Sequence, residues 1–202
     1  MRALRIGITQ RQEPGCEKSF ARDALDAAWP GWFVSALPDA AYAAIPNFED
    51  TEASLRYLKS WDLNALILSG GEDIGSSPCR DAVERCLLDH ATRAGLPVLG
   101  VCRGMQMLQS YCGGALERTS GHVGKMHSVF VGDSPHAVNS WHRFAVMTVA
   151  DGWQPIARAA DGSIEAMRHC ELPWLGIMWH PERADGGSDL TRQWTTELFA
   201  LR

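Results

Sequence analysis

The stretch Pro97-Val98-Leu99-Gly100-Val101-Cys102-Arg103-Gly104-Met105-Gln106 joins a short apolar run to a helix-like segment through a cysteine set between two glycines. Residues 97–101 predict a buried strand, and residues 103–112, closed by Gly113-Gly114, predict a helix. Flanking glycines permit a tight strand-to-helix turn that lifts the central side chain above the carboxyl edge of a sheet. The pattern therefore predicts Cys102 at a helix N-terminus, where thiolate is favoured over thiol. These residues leave one alternative open, a small buried cysteine whose glycines only permit close packing.

Short apolar runs and amphipathic stretches alternate on both sides of this turn. The pattern predicts strands at residues 4–9, 64–69, 97–101 and 174–179, and helices at residues 19–28, 51–61, 78–94, 103–112 and 190–201. Residues 115–149 are dense in turn residues and contain β-like segments at 128–131 and 144–149. The alternation indicates an α/β fold with a mainly parallel central sheet, helices on both faces and small antiparallel additions near its edge.

The composition favours one domain over residues 1–202, because 202 residues of which 46% are hydrophobic can close one substantial core. The formal charge of −5 does not provide the clustered Lys and Arg that nucleic acids or anionic membranes require. No apolar run approaches the ~20 residues of a membrane helix, and the N-terminal apolar stretch is too short for a secretory signal. We therefore expect a cytoplasmic protein with a small-molecule partner, and the sequence leaves its oligomeric state open.

Six cysteines raise the question of disulfides or a metal. Disulfide frameworks belong to short secreted chains, so we expect reduced thiols here. A zinc site would need C-x2-C pairs or a histidine pair at short spacing, and the closest cysteines stand seven residues apart. We expect no metal and no cofactor, one cysteine as a nucleophile and five as small, mostly buried side chains. The six are Cys16, Cys79, Cys86, Cys102, Cys112 and Cys170.

His180-Pro181-Glu182 directly follows the predicted strand at residues 174–179 and offers a base for a nucleophilic thiol. In an extended chain residues i and i+2 project to one side, which brings the Glu182 carboxylate toward the His180 ring. A lone histidine after a strand is normally a solvated or capping residue. Here the histidine and the cysteine turn each lie at the carboxyl end of a predicted strand, where open α/β sheets bind ligands. This coincidence favours a catalytic triad of Cys102, His180 and Glu182.

A developing oxyanion needs hydrogen-bond donors, and two backbone segments could supply them. One is the N–H of Arg103, directly after the nucleophile. The other is Ser69-Gly70-Gly71-Glu72-Asp73 at a predicted strand end, where glycines let a backbone approach a ligand closely. This segment lacks the Lys and Ser/Thr of a phosphate-binding loop and adds two negative charges. An oxyanion loop is the better interpretation, with an ordinary glycine turn as the alternative.

Four motifs together resemble class I glutamine amidotransferases, in the γ-glutamyl hydrolase branch that includes γ-glutamyl-γ-aminobutyrate hydrolase. They are Ser69-Gly-Gly-Glu-Asp73, Gly100-Val-Cys-Arg-Gly-Met-Gln106, Val138-Asn-Ser-Trp-His142 and Gly176-Ile-Met-Trp-His-Pro-Glu182. They occur in the order typical of the family and span most of the chain.

This resemblance implies a flavodoxin-like fold with Cys102 as nucleophile, His180 as base and Glu182 as the residue that orients the base. It also implies an oxyanion hole formed by Gly70, Gly71 and the Arg103 amide, and a contact of Gln106 with the glutamyl group.

The sequence departs from that branch after Asn139-Ser140, where it reads Trp141-His142-Arg143-Phe144 and the branch more often has two histidines and a glutamine. The chain is also shorter than typical members. Both departures affect the far side of the pocket, so we expect the leaving-group half of the substrate to differ. Asn139, Ser140, Trp141 and His142 are accordingly predicted to bind substrate.

The segment Ile8-Thr9-Gln10-Arg11, together with residues 22–29, resembles small bacterial hydrolases of capsule-modification pathways that remove glutamate from a cytidine-diphosphate-linked glutamine. Arg11 lies just past the first predicted strand, at the carboxyl edge of the sheet, where a guanidinium can meet a diphosphate. The alternative is an exposed surface arginine.

Three functions remain open. The first is a free-standing hydrolase that cleaves a γ-glutamyl amide through a cysteine thioester. The second is a glutaminase subunit that supplies ammonia to a separate synthetase. The third, a non-catalytic binding module, is disfavoured because all three triad positions are filled. Among the other side chains, His90 is expected to pack in the core and Trp179 to pack in the core or under the substrate, while His122 and His127 carry no assignment.

Overall fold

In the residues that the structure describes, 3–15, 20–184, 186 and 188–200, the computed structural model contains a nine-stranded sheet flanked by helices. The elements in chain order are β1 (Arg5–Thr9), β2 (Arg11–Glu13), β3 (Arg22–Ala24), α1 (Trp29–Ala36), β4 (Ala41–Ile45), α2 (Thr51–Ser60), β5 (Ala65–Leu68), α3 (Pro78–Ala94), β6 (Val98–Val101), α4 (Arg103–Tyr111), β7 (Glu117–Arg118), β8 (Val123–Val131), β9 (Ser134–Trp141), β10 (Phe144–Ala145), β11 (Trp153–Ala159), β12 (Ile164–His169), β13 (Trp174–Ile177) and α5 (Ser188–Ala200).

The sheet has the strand order β4-β1-β5-β6-β13-β12-β11-β8-β9. Its first five strands pair in parallel, and β12, β11, β8 and β9 continue the same sheet with antiparallel pairs. Numbered along the chain, the parallel strands have the order 2-1-3-4-5 of flavodoxin-like folds. The expected α/β fold class is confirmed. Four antiparallel strands extend the main sheet, and the pairs β7–β10 and β2–β3 form two separate two-stranded antiparallel sheets.

Helices cover the sheet on both faces because consecutive residues of a buried strand point to opposite sides. In β5, Ala65 and Ile67 face a core with α1 and α5, whereas Leu66 and Leu68 face a core with α2, α3 and α4. None of the helices in the described part of the chain is long and apolar enough to cross a membrane.

The helix predicted at residues 19–28 is wrong. Residues 22–24 form β3, which pairs with β2 in a short antiparallel ribbon, and the helix α1 begins at Trp29. Pro30 lies in the first turn of α1, where its missing N–H costs no hydrogen bond, so it begins a helix here and does not end one. Residues 16–19 lie outside the described part of the chain.

Two smaller expectations also need correction. His90 is only half-buried, although it lies on α3 beside buried positions. Of the cysteines expected to be mostly buried, Cys79, Cys86 and Cys112 are half-buried and Cys170 is exposed, while Cys16 lies outside the described residues. The described cysteines are free thiols, as expected.

Three strand ends bring the candidate site together. The strands β5, β6 and β13 are neighbours, with Gly100 of β6 opposite both Leu68 of β5 and Gly176 of β13. Because these strands are parallel and in register, the segments that follow them leave the sheet at the same edge. Those segments contain Cys102, His180 and the glycine loop, which consists of residues 69–73.

Candidate active site

Cys102 occupies a strained turn between β6 and α4. Its backbone has φ of 52° and ψ of −106°, a conformation that a residue with a side chain rarely adopts. Its N–H donates to the carbonyl of Ile177 at 2.8 Å, and its side chain is buried. A Cβ at Gly104 would collide with the carbonyl oxygen of Leu68, so α4 can lie this close to β5 only with glycine there. The turn predicted from the two glycines is therefore present.

His180 is fixed on several sides. Its Nδ1 lies 2.7 Å from Oε1 of Glu182, which leaves Nε2 for the hydrogen bond with Cys102. The side chains of His180 and Glu182 are both buried. Burial alone would lower the pKa of His180, but the charge of Cys102, a hydrogen bond with it, and Glu182 raise that pKa to about 10. The arrangement favours the imidazolium form of His180.

Asn139 of the edge strand β9 holds the backbone of His180. Its side-chain NH2 donates to the His180 carbonyl at 2.9 Å, and its side-chain oxygen accepts from the His180 N–H at 2.9 Å. On the other side, a Cβ at Gly70 would lie 2.5 Å from Cε1 of His180, so only glycine fits against the ring. The base is thus positioned by β9 and by the glycine loop as well as by Glu182.

Arg80 of α3 holds the glycine loop through hydrogen bonds to its backbone. Its guanidinium donates to the carbonyl of Ser69 at 2.7 Å and to that of Gly70 at 3.3 Å, and it pairs with Glu72 at 2.9 Å. Gly71 has φ of 154°, and a Cβ there would collide with this guanidinium. The loop predicted to form an oxyanion hole is therefore packed against a buried cation that fixes two of its carbonyls.

A fully buried carboxylate, Glu84, joins this loop to the cysteine turn. It accepts hydrogen bonds from Nε of Arg80 at 3.0 Å and from the hydroxyl of Thr9 at 2.7 Å, and it also pairs with Arg103. Burial would raise the pKa of Glu84, but Arg103 and Arg80 hold it below its usual value. The guanidinium of Arg103 pairs with Asp81 as well as with Glu84.

Sequence reasoning did not find this charge network. Arg80 and Glu84 are spaced i, i+4, a pattern that usually marks an exposed ion pair on a helix surface. The position of α3 could have indicated that this pair is buried, because the helix lies between two buried strands in the chain and begins close to the glycine loop.

Two cavities meet at Cys102. The first has a volume of about 200 Å³ and the second about 490 Å³, and both are bordered by Gly71, Cys102 and Trp141. A substrate whose reacting carbon lies at Cys102 can therefore extend in two directions. Charged side chains border both cavities: Arg11, Asp26 and Arg183 in the first, and Glu72, Asp73 and Arg143 in the second.

The structure separates the residues predicted to bind substrate. Trp141 is half exposed and borders both cavities, Arg11 borders the first, and Gln106 and His142 border the second. The guanidinium of Arg11 is paired with Glu13.

The other two predicted contacts have different positions. Asn139 uses both its amide groups on His180, and the buried hydroxyl of Ser140 donates to the carbonyl of His122 at 2.7 Å. We correct their assignment from substrate binding to positioning. Trp179 is fully buried, donates to Thr191 at 2.8 Å and packs against Trp194, so it belongs to the core.

Comparison with known proteins identifies the family of this chain. Residues 39–192 match the model of the family described as "Glutamine amidotransferase class-I". The chain belongs to the class I glutamine amidotransferase family. It is 32% identical to a γ-glutamyl-CDP-amidate hydrolase from Campylobacter jejuni over 97% of this chain and 98% of that protein.

This class I amidotransferase is also similar to a second relative and to a solved structure. It is 31% identical to one subunit of a glutamine-hydrolyzing GMP synthase from Methanocaldococcus jannaschii, over 61% of this chain and 66% of that protein. The crystal structure of a glutamine amidotransferase from Thermotoga maritima superposes with a TM-score of 0.67 at 14% identity, covering 99% of this chain and 84% of that one. The structural likeness supports the fold.

Replacing the buried carboxylate should destabilise the whole site. Glu84→Gln keeps the size of the side chain but leaves Arg80 and Arg103 buried without their shared counter-charge, so we expect the free energy of unfolding to fall by about 3–5 kcal/mol. Urea denaturation measures this. The control Glu171→Gln, in an exposed loop, should change stability by less than about 0.5 kcal/mol. A Glu84→Gln protein as stable as this control would contradict the role given to the network.

Proposed function

We propose that this protein hydrolyses γ-glutamyl amides through a thioester on Cys102. The observation that carries the proposal is the buried imidazole of His180, which is held between Cys102 and Glu182 where two cavities meet. Family membership supports amide cleavage, and the relative from Campylobacter jejuni supports a γ-glutamyl hydrolase in particular.

The proposed reaction has two halves. The Cys102 thiolate attacks the γ-carbonyl carbon, and the negative charge moves to the carbonyl oxygen, where the Arg103 N–H and the Gly70-Gly71 backbone stabilise it. The C–N bond then breaks as the His180 imidazolium gives its proton to the departing nitrogen. Water next attacks the thioester while His180 accepts its proton, and the C–S bond breaks to release glutamate and the Cys102 thiolate.

Charges around the two cavities suggest how the substrate lies. In the second cavity, Arg143 and Asp73 carry the opposite charges that the α-carboxylate and α-ammonium of a glutamyl group need, and Gln106 lies beside them. In the first cavity, Arg11 and Arg183 are suited to an anionic leaving group such as a nucleotide diphosphate. We infer that the glutamyl group occupies the second cavity and the leaving group the first.

The first experiment measures glutamate release from γ-glutamyl-CDP-amidate, from γ-glutamyl-p-nitroanilide and from glutamine. We expect the substituted amides to be cleaved faster than glutamine, and Cys102→Ala to lower the rate by a factor of about 10³ or more. Hydrolysis that survives Cys102→Ala would refute the assigned nucleophile.

The same assay decides the second candidate function, a glutaminase subunit for a separate synthetase. The likeness to one subunit of a GMP synthase favours that function. Strong activity on glutamine, with little on the substituted amides, would support it over the hydrolase.

Variants in the two cavities should affect different substrates. Arg183→Met removes a cation from the first cavity, so we expect KM to rise about tenfold for γ-glutamyl-CDP-amidate and to stay unchanged for γ-glutamyl-p-nitroanilide. Arg143→Met should raise KM for both substrates. Steady-state kinetics measures both effects. The assignment of the two cavities would be reversed if Arg183→Met raised KM for both substrates and Arg143→Met raised it only for γ-glutamyl-CDP-amidate.

The pKa of His180 predicts an alkaline limit for the reaction. The first half needs the imidazolium, whose pKa is raised to about 10, so kcat/KM should fall as pH rises through about 10. Removal of the Glu182 carboxylate in Glu182→Gln takes away part of what raises this pKa, so the fall should move to lower pH. The pH profiles of both proteins measure the effect, and a limit that Glu182→Gln leaves in place would contradict it.

A further inference from the structure

Four side chains, three of them buried and that of His127 half-buried, converge behind the second cavity in the antiparallel part of the sheet. They are His122, just before β8, His127 of β8, His142, just after β9, and Glu165 of β12. Each has a buried polar atom that finds no hydrogen-bond partner among the described residues: His122 Nδ1, His127 Nε2, His142 Nε2 and Glu165 Oε2. Buried polar atoms in folded proteins are nearly always partnered, so four unpartnered atoms in one place need an explanation.

The distances within this cluster are too long for strong hydrogen bonds. Nitrogens of His122, His127 and His142 lie 3.6, 3.5 and 3.4 Å from the Glu165 carboxylate oxygens. A charge-assisted N–H···O hydrogen bond would measure about 2.7–2.9 Å. Two ligands of one tetrahedral zinc ion, each about 2.0–2.1 Å from the metal, lie about 3.4 Å apart. The observed nitrogen–oxygen distances match the separation of two ligands on one zinc ion.

The outer contacts of two histidines fix which ring nitrogens face the centre. His142 Nδ1 lies 3.0 Å from the Phe144 carbonyl, which can only accept, so Nδ1 carries a proton and Nε2 is the nitrogen that faces the centre. Nε2 lies 3.4 Å from the Glu165 carboxylate. His122 Nε2 lies 2.8 Å from the Asp161 carboxylate, and Nδ1 faces the centre. A carboxylate or carbonyl on the outer nitrogen is the usual arrangement for histidines that bind metals.

We propose that His122, His127, His142 and Glu165 bind a divalent transition-metal ion, with zinc as the best match. Three imidazoles and one carboxylate make a ligand set that suits tetrahedral zinc. Ligand atoms of His122, His127 and Glu165 already lie within 4.8 Å of one another. The four side chains are at most 14% exposed, which leaves little access for substrate, so the ion has a structural role.

The position of the cluster indicates what the ion stabilises. The carbonyl of His122 accepts from the Ser140 hydroxyl and from the His142 N–H, and Ser140 follows Asn139, which holds His180. The backbone carbonyl of Glu165 accepts from the N–H of Met178, two residues before His180. An ion at this place fastens β8, β9 and β12 together behind the base.

Metal content and affinity test the proposal in the full chain, purified without a histidine tag. Cys102→Ala serves as the background so that the thiol cannot contribute a ligand. Metal analysis after exchange into chelator-treated buffer with added Zn²⁺ should give one equivalent per chain. Co²⁺ should give the strong visible absorption of a four-coordinate site, since a six-coordinate surface site absorbs only weakly.

Variants in this background separate the proposed site from adventitious binding. Glu165→Gln should abolish stoichiometric binding, and circular dichroism checks that it folds. Asp161→Asn, at a half-exposed outer position, should weaken zinc affinity about tenfold without loss of fold. Asp133→Asn, in the exposed turn between β8 and β9, is the matched control and should change nothing.

Two results would overturn the proposal. One is a folded chain that binds neither Zn²⁺ nor Co²⁺ at micromolar concentration, which would show a cluster of protonated histidines around Glu165. The other is binding of equal affinity in the background protein and in Asp161→Asn. Because these measurements need no substrate, their outcome is independent of the hydrolase assay.

Discussion

The strained backbone of Cys102 is the constraint on which the rest of the site depends. A φ of 52° at a residue with a side chain persists only where the surroundings hold it. Here β13 accepts its N–H through Ile177, and α4 packs so closely on β5 that Gly104 can carry no side chain. Contacts with β13, β5 and α4 thus hold this turn in place. The turn in its place holds the thiol at the edge of the sheet where β5, β6 and β13 end.

The charge network around Glu84 extends this constraint to the glycine loop. Buried ion pairs are often replaceable by apolar side chains without loss of stability, so stability alone does not explain them. The same carboxylate pairs with Arg80, which holds the carbonyls of Ser69 and Gly70, and with Arg103, which follows the thiol. The loop and the turn are therefore held in one arrangement. Fixed donors are what oxyanion stabilisation needs, because donors that are already oriented cost no reorganisation during the reaction.

The sequence predicted four of the five parallel strands, and the approach of His180 to Cys102 and Glu182, because their signals are local. The helix at residues 78–94 was predicted at its true bounds, since its apolar stripe and the Gly95 cap lie within a few turns. The helix predicted at residues 19–28 was wrong because Pro30, just after that segment, lies in the first turn of α1 and does not end a helix. Strand β4 could not be predicted because it pairs with β1, which is distant in sequence. The burial of the Arg80–Glu84 pair depends on contacts with Ser69 and Arg103 from other elements. The full extent of the β8–β9 pair was missed although a short turn joins the two strands, because residues 115–149 are dense in turn residues.

Strand β9 shows how the two halves of the sheet cooperate. Side chains alternate along a strand, and here the alternation divides the roles. Asn139 and Trp141 face His180 and the cavities, whereas Ser140 and His142 face the backbone and side chains of the histidine cluster. Metal-ligand spacing rules, which look for ligands close in sequence, pass over this cluster because its members come from separate strands. The strand that holds the backbone of His180 through Asn139 therefore also contacts the histidine cluster, through the hydrogen bond of Ser140 to His122.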